Sequence, residues 1–204
     1  MINDDTTPRE RRQERTKDAI LNAARKMIRE GGVDSISMRK IAQEIDYSPA
    51  GLYEYFGSKE EIIVTLCEMA GDRLENYMRA VEASLPMDQR LVELGLAYVR
   101  FAVQNREEFL VLFTYMPVPP DLNAETPPEP SGAFFVLVQA MQDAMDTGFI
   151  TQTPLDAFAI SYAAWAIVHG MAMLQLTALQ NTPIPFETIN RWALQQFIEG
   201  LHTL

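Results

Sequence analysis

Side chains suited to binding a nucleic acid cluster between Ser37 and Lys59. Small residues after the middle of this segment let the backbone approach base edges, and tyrosine hydroxyls can donate hydrogen bonds to phosphates. The lysine starts a helix, where the dipole and the backbone N–H groups also favour a phosphate. The candidate contact residues are Ser37, Arg39, Ser48, Pro49, Ala50, Gly51, Tyr53, Tyr55 and Lys59.

Two short helices joined by a tight turn have to position these side chains. Apolar residues at i, i+3, i+4 and i+7 predict the first helix: Met38, Ile41, Ala42 and Ile45. Ser37 precedes this stripe as an N-cap. Asp46 follows it, and Asp tolerates the left-handed conformation that a sharp turn needs.

The second helix is predicted from Ser48 to Tyr55. Ser48 serves as its N-cap, and Pro49 occupies the first helical position. Ordinary aromatic packing is the alternative interpretation of each tyrosine, but Leu52 and Phe56 already suffice to hold so short a helix. The two helices together predict a helix-turn-helix, which places its second helix in the DNA major groove.

Residues 16–68 resemble the DNA-binding domain of the tetracycline-repressor (TetR) family. The turn departs from the family pattern, since Asp46-Tyr47 stands where Gly-Val is usual. This departure leaves the docking of the second helix open. The resemblance rests on Ile20, Ala23-Ala24, Gly31-Gly32, Ser37-Met38-Arg39, Ile41-Ala42, Gly51-Leu52-Tyr53, Tyr55-Phe56 and Ser58-Lys59-Glu60.

The net charge of −11 is unevenly distributed along the 204 residues. Residues 1–60 hold 11 basic and 11 acidic side chains, which leaves 6 of the 17 basic and 17 of the 28 acidic ones for the rest. Residues 8–29 carry eight basic side chains against three acidic ones, so an arm that contacts DNA and a solubilising tail are both open interpretations. We expect a flexible basic arm over residues 1–15 and a helix-turn-helix DNA-binding domain over residues 16–62. Residues 63–204 are expected to form a ligand-binding and dimerisation domain.

Several classes of protein are excluded by composition. No apolar run is long enough to span a membrane, and the polar N-terminus predicts no signal peptide. The single cysteine, Cys67, cannot form a disulfide within the chain, which indicates a reducing cytoplasm. One cysteine and two histidines are too few for a typical metal site, so we expect no metal and no other cofactor. Cys67 has no histidine near it in sequence, and no glycine-rich phosphate loop exists, so we expect no enzyme.

The remainder of the chain reads as helical throughout, for about nine helices in all, the number that the TetR resemblance implies. Ser58 and Glu61 form a capping box that opens a long helix ending near Ser84. A proline-rich loop covers 117–131 and is either an exposed connector or a flap over a pocket. Thr153-Pro154 is expected to start a helix that reaches about Gln180. The predicted fold is therefore all-α, with a three-helix head and a helical C-terminal domain.

Small and apolar residues at helical spacing near the C-terminus predict a dimer interface. Too many apolar faces exist there for one core layer, so we expect two helices to meet their copies in a four-helix bundle. The candidate interface residues are Ala159, Ala163, Ala166, Gly170, Ile189, Ala193 and Phe197.

A ligand cavity is the second site that the TetR resemblance implies. Trp165, His169 and Gly170 match the Trp-x-x-x-His-Gly pattern of one C-terminal subfamily. His169 is either a hydrogen-bonded core residue or a polar ligand contact. Aromatic and methionine side chains suit an adaptable apolar pocket, and equally a solid core. The candidates are Phe101, Phe109, Phe113, Met116, Phe134, Met141, Trp165, His169 and Met173.

These expectations combine into a sequence-specific transcriptional regulator. We expect a repressor that binds a palindromic double-stranded DNA operator as a homodimer and responds to a small, largely apolar ligand. The alternative is a helical interaction protein that has lost specific DNA binding. The two differ in whether DNA affinity falls steeply with added salt.

Overall fold

The structure is a computed structural model that describes residues 7–115, 132–151 and 153–203. The predicted all-α fold is confirmed, because the described residues form nine α-helices, one 3-10 helix at Val33–Ser35 and no strand. The helices are α1 Pro8–Gly31, α2 Met38–Glu44, α3 Pro49–Leu52, α4 Lys59–Arg79, α5 Met87–Gln104, α6 Arg106–Tyr115, α7 Ala133–Asp146, α8 Ala157–Leu176 and α9 Phe186–Thr203.

Two compact units divide the chain, the first from Met1–Glu68 and Leu110–Pro117, the second from Met69–Phe109 and Val118–Leu204. In the first unit, α2 packs against α1 and α3. Its core is formed by side chains that are almost fully buried: Ile20, Leu21, Ala24, Ile36, Ile41, Ala42, Leu52, Phe56 and Ile62. Burial of this apolar surface is what holds such short helices in place.

The second unit is built around α5, which packs against α7, α8 and α9, while α7 also packs against α8. Gly95 lets α5 approach its neighbours closely. A Cβ there would lie 2.9 Å from Leu194 Cδ1 of α9 and 3.2 Å from Val168 Cγ1 of α8. A salt bridge of 3.0 Å between Arg90 and Asp143 joins α5 to α7.

Several helix limits differ from those that the sequence predicts. Residues 8–15 form the start of α1, where Thr7 and Glu10 make a capping box with Pro8 inside it. α4 ends at Arg79 rather than near Ser84. α8 begins after Asp156 Oδ1, which accepts from Ala159 N–H at 2.8 Å, and it ends at Leu176. The predicted loop over 117–131 lies outside the described residues.

Among the described residues, α8 is the one helix whose length and apolar character would allow it to cross a membrane. Its inner side packs into the core of the second unit through Ile160, Ala164, Val168 and Ala172. The other side of the helix is also apolar, so a single copy of the chain leaves that side exposed.

Candidate nucleic-acid interface

The turn between α2 and α3 is defined by its caps and by one unusual backbone angle. Ser37 Oγ accepts from Lys40 N–H at 3.2 Å, and Ser48 Oγ accepts from Gly51 N–H at 3.0 Å. Asp46 has φ 51°, the one positive value at a non-glycine residue within the described part of the chain. The predicted caps and the left-handed Asp46 are therefore confirmed.

The second helix is shorter than the predicted Ser48–Tyr55 segment. α3 ends at Leu52, where the backbone tightens to i+3 hydrogen bonds, from Glu54 N–H to Gly51 O at 3.3 Å and from Tyr55 N–H to Leu52 O at 2.9 Å. This tighter turn brings Phe56 into the core, where it is 5% exposed. Tyr53 is therefore presented from a turn that follows α3 rather than from a helix.

The predicted contact residues remain accessible. Tyr53 is 57% exposed, and none of the other candidates is buried. The exposed group is Arg39, Ser48, Pro49, Ala50 and Tyr53, while the half-buried group is Ser37, Gly51, Tyr55 and Lys59. The surface thus offers close backbone approach, phenolic hydroxyls and two cations, which are the components of phosphate binding.

Lys59 stands at the first position of α4, whose N-terminus is capped reciprocally. Ser58 Oγ accepts from Glu61 N–H at 3.1 Å, and Glu61 Oε2 accepts from Gly57 N–H at 2.6 Å. The Glu61 carboxylate therefore accepts from the N–H of Gly57, whereas the predicted capping box would have it accept from the N–H of Ser58. The nearest acidic atom to Lys59 Nζ is Glu60 Oε1 at 3.9 Å, a distance that leaves the ammonium able to meet a phosphate.

The second unit contains a hydrogen-bonded group of three aromatic residues. Trp165 Nε1–H donates to Tyr98 Oη at 3.1 Å, and Tyr98 Oη lies 2.9 Å from His169 Nδ1. The centroid of the Phe109 ring lies 5.6 Å from that of Tyr98, in an edge-to-face contact, and 5.6 Å from that of His169. Phe134 lies 5.5 Å from the Trp165 ring. The structure thus brings together residues that are about seventy positions apart in sequence.

Burial determines the protonation of this group. It raises the pKa of Tyr98, against a weaker opposing effect of the Trp165 hydrogen bond, and it lowers the pKa of His169. Both side chains are therefore neutral at neutral pH.

The predicted pocket residues fall into three groups. Phe101, Phe109 and Met141 are fully buried, whereas Phe113, Phe134, Trp165, His169 and Met173 are half-buried. Met116 lies outside the described residues. Sequence reasoning missed Tyr98, which joins two of the candidates, because its position on α5 shows no spacing relationship to α8.

A cleft of about 1130 Å³ lies elsewhere in the second unit, between α5, α9 and the end of α4. Arg100 and Arg191 line it, and both pair with Glu93, at 3.2 Å and 2.6 Å. Among the predicted pocket residues that the structure describes, none lines this cleft. Glu82, Asp88 and Glu199 also line the cleft, so carboxylates outnumber the two arginines there.

The outer sides of α8 and α9 carry large apolar side chains in contact with solvent. On α8 these are Phe158, Tyr162 and Leu174, and on α9 they are Ile189 and Trp192. The predicted interface residues share these surfaces, since none of Ala159, Ala163, Ala166, Gly170, Ile189, Ala193 and Phe197 is buried. Sequence reasoning missed Trp192, although it lies three residues after Ile189 on the same side of α9.

Comparison with known proteins decides the family. Residues 20–66 match bacterial regulatory proteins of the tetR family, and residues 91–197 match the tetracyclin repressor-like C-terminal domain. The chain belongs to the TetR family. It is therefore a DNA-binding transcriptional regulator, and ligand response and homodimer formation are typical of such proteins.

Individual relatives agree with this assignment. The HTH-type transcriptional regulator BetI of Rhizobium meliloti (strain 1021) is 24% identical over 174 residues, which cover 83% of this chain and 81% of BetI. A protein of unknown function from Rhodococcus sp. RHA1 has a TM-score of 0.74 and 25% identity, covering 91% of this chain and 95% of that one. A TetR variant from Acinetobacter baumannii AYE, in complex with minocycline, shares the fold with a TM-score of 0.62 and 20% identity over 92% and 96% of the chains.

Proposed function

We propose that this regulator is a repressor that binds a near-palindromic operator as a homodimer and leaves it when a small, largely apolar ligand binds. The observation that carries the proposal is the exposed surface around α3, where small residues, two tyrosines and Lys59 surround a buried Leu52–Phe56 anchor. Two copies related by a twofold axis would read two half-sites about one helical turn of DNA apart.

The exposed apolar sides of α8 and α9 support the dimer. Tyr162 and Trp192 are 62% and 63% exposed in a single chain. Contiguous apolar surfaces of this kind mark interaction sites. Gly170 and Gly200 add open space, since nothing lies within 4 Å of a Cβ built at either position. A second copy could therefore approach closely and complete a four-helix bundle.

The aromatic group around Tyr98, Trp165 and His169 supports a ligand site in the second unit. It combines apolar rings with a few oriented polar atoms, which is the usual composition of a small-molecule site. A ligand that fits one arrangement of the C-terminal domain would bias the dimer toward that arrangement. The long helix α4, which begins at Lys59, continues into the sequence of that domain.

The test is an operator-binding titration by fluorescence anisotropy, using the DNA upstream of the protein's own gene. Scrambled competitor DNA and two salt concentrations are included. Tight, competitor-resistant binding that weakens steeply with salt is expected. A flat salt response without sequence preference would instead favour a helical interaction protein that does not bind DNA specifically.

Two variants test the side chains. Tyr53→Ala and Lys59→Ala should each weaken operator binding about tenfold or more, and the lysine variant should also reduce the salt slope by about 1 per lost phosphate contact. Tyr115→Ala is the matched control, because Tyr115 is an exposed tyrosine in the same compact unit but on α6. Normal operator binding by both Tyr53→Ala and Lys59→Ala would overturn their assignment.

A further inference from the structure

Tyr47 occupies the turn before α3, at one of the two positions where the chain departs from the usual Gly-Val of the family. Its ring is 40% exposed and lies against the backbone of α3. A Cβ built at Gly51 would come within 2.6 Å of Tyr47 Cε1. The absence of a side chain at Gly51 is therefore what allows the Tyr47 ring to rest on this surface.

The Tyr47 ring also meets Tyr55 beyond the end of α3. The two rings contact edge to face, with centroids 6.1 Å apart and an angle of 73° between their planes. Their hydroxyl oxygens are 3.5 Å apart. This hydrogen bond is longer than the usual O–H···O distance of about 2.7–2.8 Å, and a hydroxyl rotates about its C–O bond, so the hydroxyl that donates in it can turn to a third oxygen.

The Tyr47 hydroxyl keeps its proton at neutral pH and is therefore available as a donor. The hydrogen bond with Tyr55 raises the pKa of Tyr47, the charge of Glu54 adds to the rise, and the positive charge of Arg12 opposes it. The turn before α3 and the segment after it thus place two phenols side by side on the surface.

We propose that Tyr47 and Tyr55 act as a pair that binds one backbone phosphate of the operator. A phosphate oxygen accepts from both phenols, and the contact fixes how α3 enters the groove without reading a base. Tyr47 is then an added phosphate contact, and Asp46 supplies the left-handed backbone of the turn before it. This inference rests on the proposed operator binding of the chain.

The experiment is a double-mutant cycle in the same anisotropy assay, with thermal unfolding measured for every variant. Tyr47→Phe keeps the ring on Gly51 and removes only the hydroxyl, and Tyr55→Phe does the same for its partner. We expect each single variant to weaken operator binding about fivefold to tenfold. The loss of operator affinity in the double variant should be clearly smaller than the product of the two single losses, because both hydroxyls bind one phosphate.

Further variants separate charge from hydrogen bonding. Lys59→Ala should lower the salt slope by about 1 per copy, whereas neither tyrosine variant should change it, because a neutral hydroxyl releases no counterion. Tyr115→Phe, which removes an exposed hydroxyl from α6 of the same unit, should leave affinity unchanged.

The outcomes distinguish this inference from the proposed function. Tight operator binding by the unchanged protein, together with Tyr47→Phe binding within twofold of it, would overturn the phosphate contact and leave operator binding intact. Fully independent effects of the two tyrosine variants would overturn the pairing. Absence of any specific DNA binding by the unchanged protein would overturn both proposals.

Discussion

Replacing Trp192 by alanine should disrupt the proposed homodimer without unfolding the chain. Trp192 is 63% exposed on the outer side of α9 in a single copy. A buried tryptophan covers on the order of 200 Å², so about 130 Å² of this side chain is available to a partner. At about 25 cal/mol per Å², covering that area contributes about 3 kcal/mol per subunit as an upper estimate.

That magnitude sets the expected change in dimer affinity. A twofold-symmetric interface contains two copies of Trp192, and each ~1.4 kcal/mol corresponds to a factor of ten. Losing even half of the upper estimate in each copy therefore raises the dissociation constant of the dimer by roughly 100-fold. Because the side chain is exposed in the monomer, the midpoint of unfolding extrapolated to the monomer should change little.

Sedimentation equilibrium over a range of protein concentrations measures the dissociation constant directly. Val103→Ala is the control, since Val103 is a 49% exposed apolar residue on α5 and not on α8 or α9. The control should dimerise like the unchanged protein. A dissociation constant for Trp192→Ala within threefold of the control would refute the reasoning that this surface is covered by a second copy.

Two further predictions follow from the turn and from the second unit. Asp46→Ala should lower the free energy of unfolding by about 1 kcal/mol, because alanine is strained at φ 51°. Asp46→Gly should not lower it, because glycine adopts this angle without strain. Equal urea midpoints for the two variants would contradict the prediction. Burial lowers the pKa of His169, so the unfolded chain takes up a proton before the folded one as the pH falls below the ordinary histidine value of 6.5. The stability of the unchanged protein should therefore decrease between pH 7 and the lower pKa of the folded state, and His169→Gln should remove that part of the decrease. Urea unfolding at several pH values compares the two proteins, and parallel curves would count against a buried neutral imidazole.

Local signals in the sequence predict most of the DNA-binding head. The caps at Ser37 and Ser48, the proline that opens α3 and the left-handed Asp46 all act within three or four residues, so residue type alone specifies them. The apolar spacing of α2 likewise depends only on the helical repeat, and its Ile41 and Ala42 are buried as predicted. The same reasoning identifies most of the helices and their order.

Misplaced boundaries share a physical cause. α3 ends at Leu52, after which Phe56 turns into the core. α8 begins at Ala157 because Asp156 caps it, whereas the predicted cap Thr153 accepts only from Leu155 N–H in the turn before it. α1 starts at Pro8 because Thr7 and Glu10 cap each other. In each case several local solutions are similar in energy, so packing or geometry selects one.

Contacts between distant parts of the chain were decided only by tertiary structure. Tyr98 on α5 meets Trp165 and His169 on α8 across about seventy residues, and no periodicity relates those positions. The Tyr47 ring lies on Gly51 because the turn folds back over α3. Sequence therefore determined the helices, the caps and the family, since these depend on neighbours along the chain. Packing determined which side chains meet and which apolar sides stay exposed, since burial depends on the whole chain.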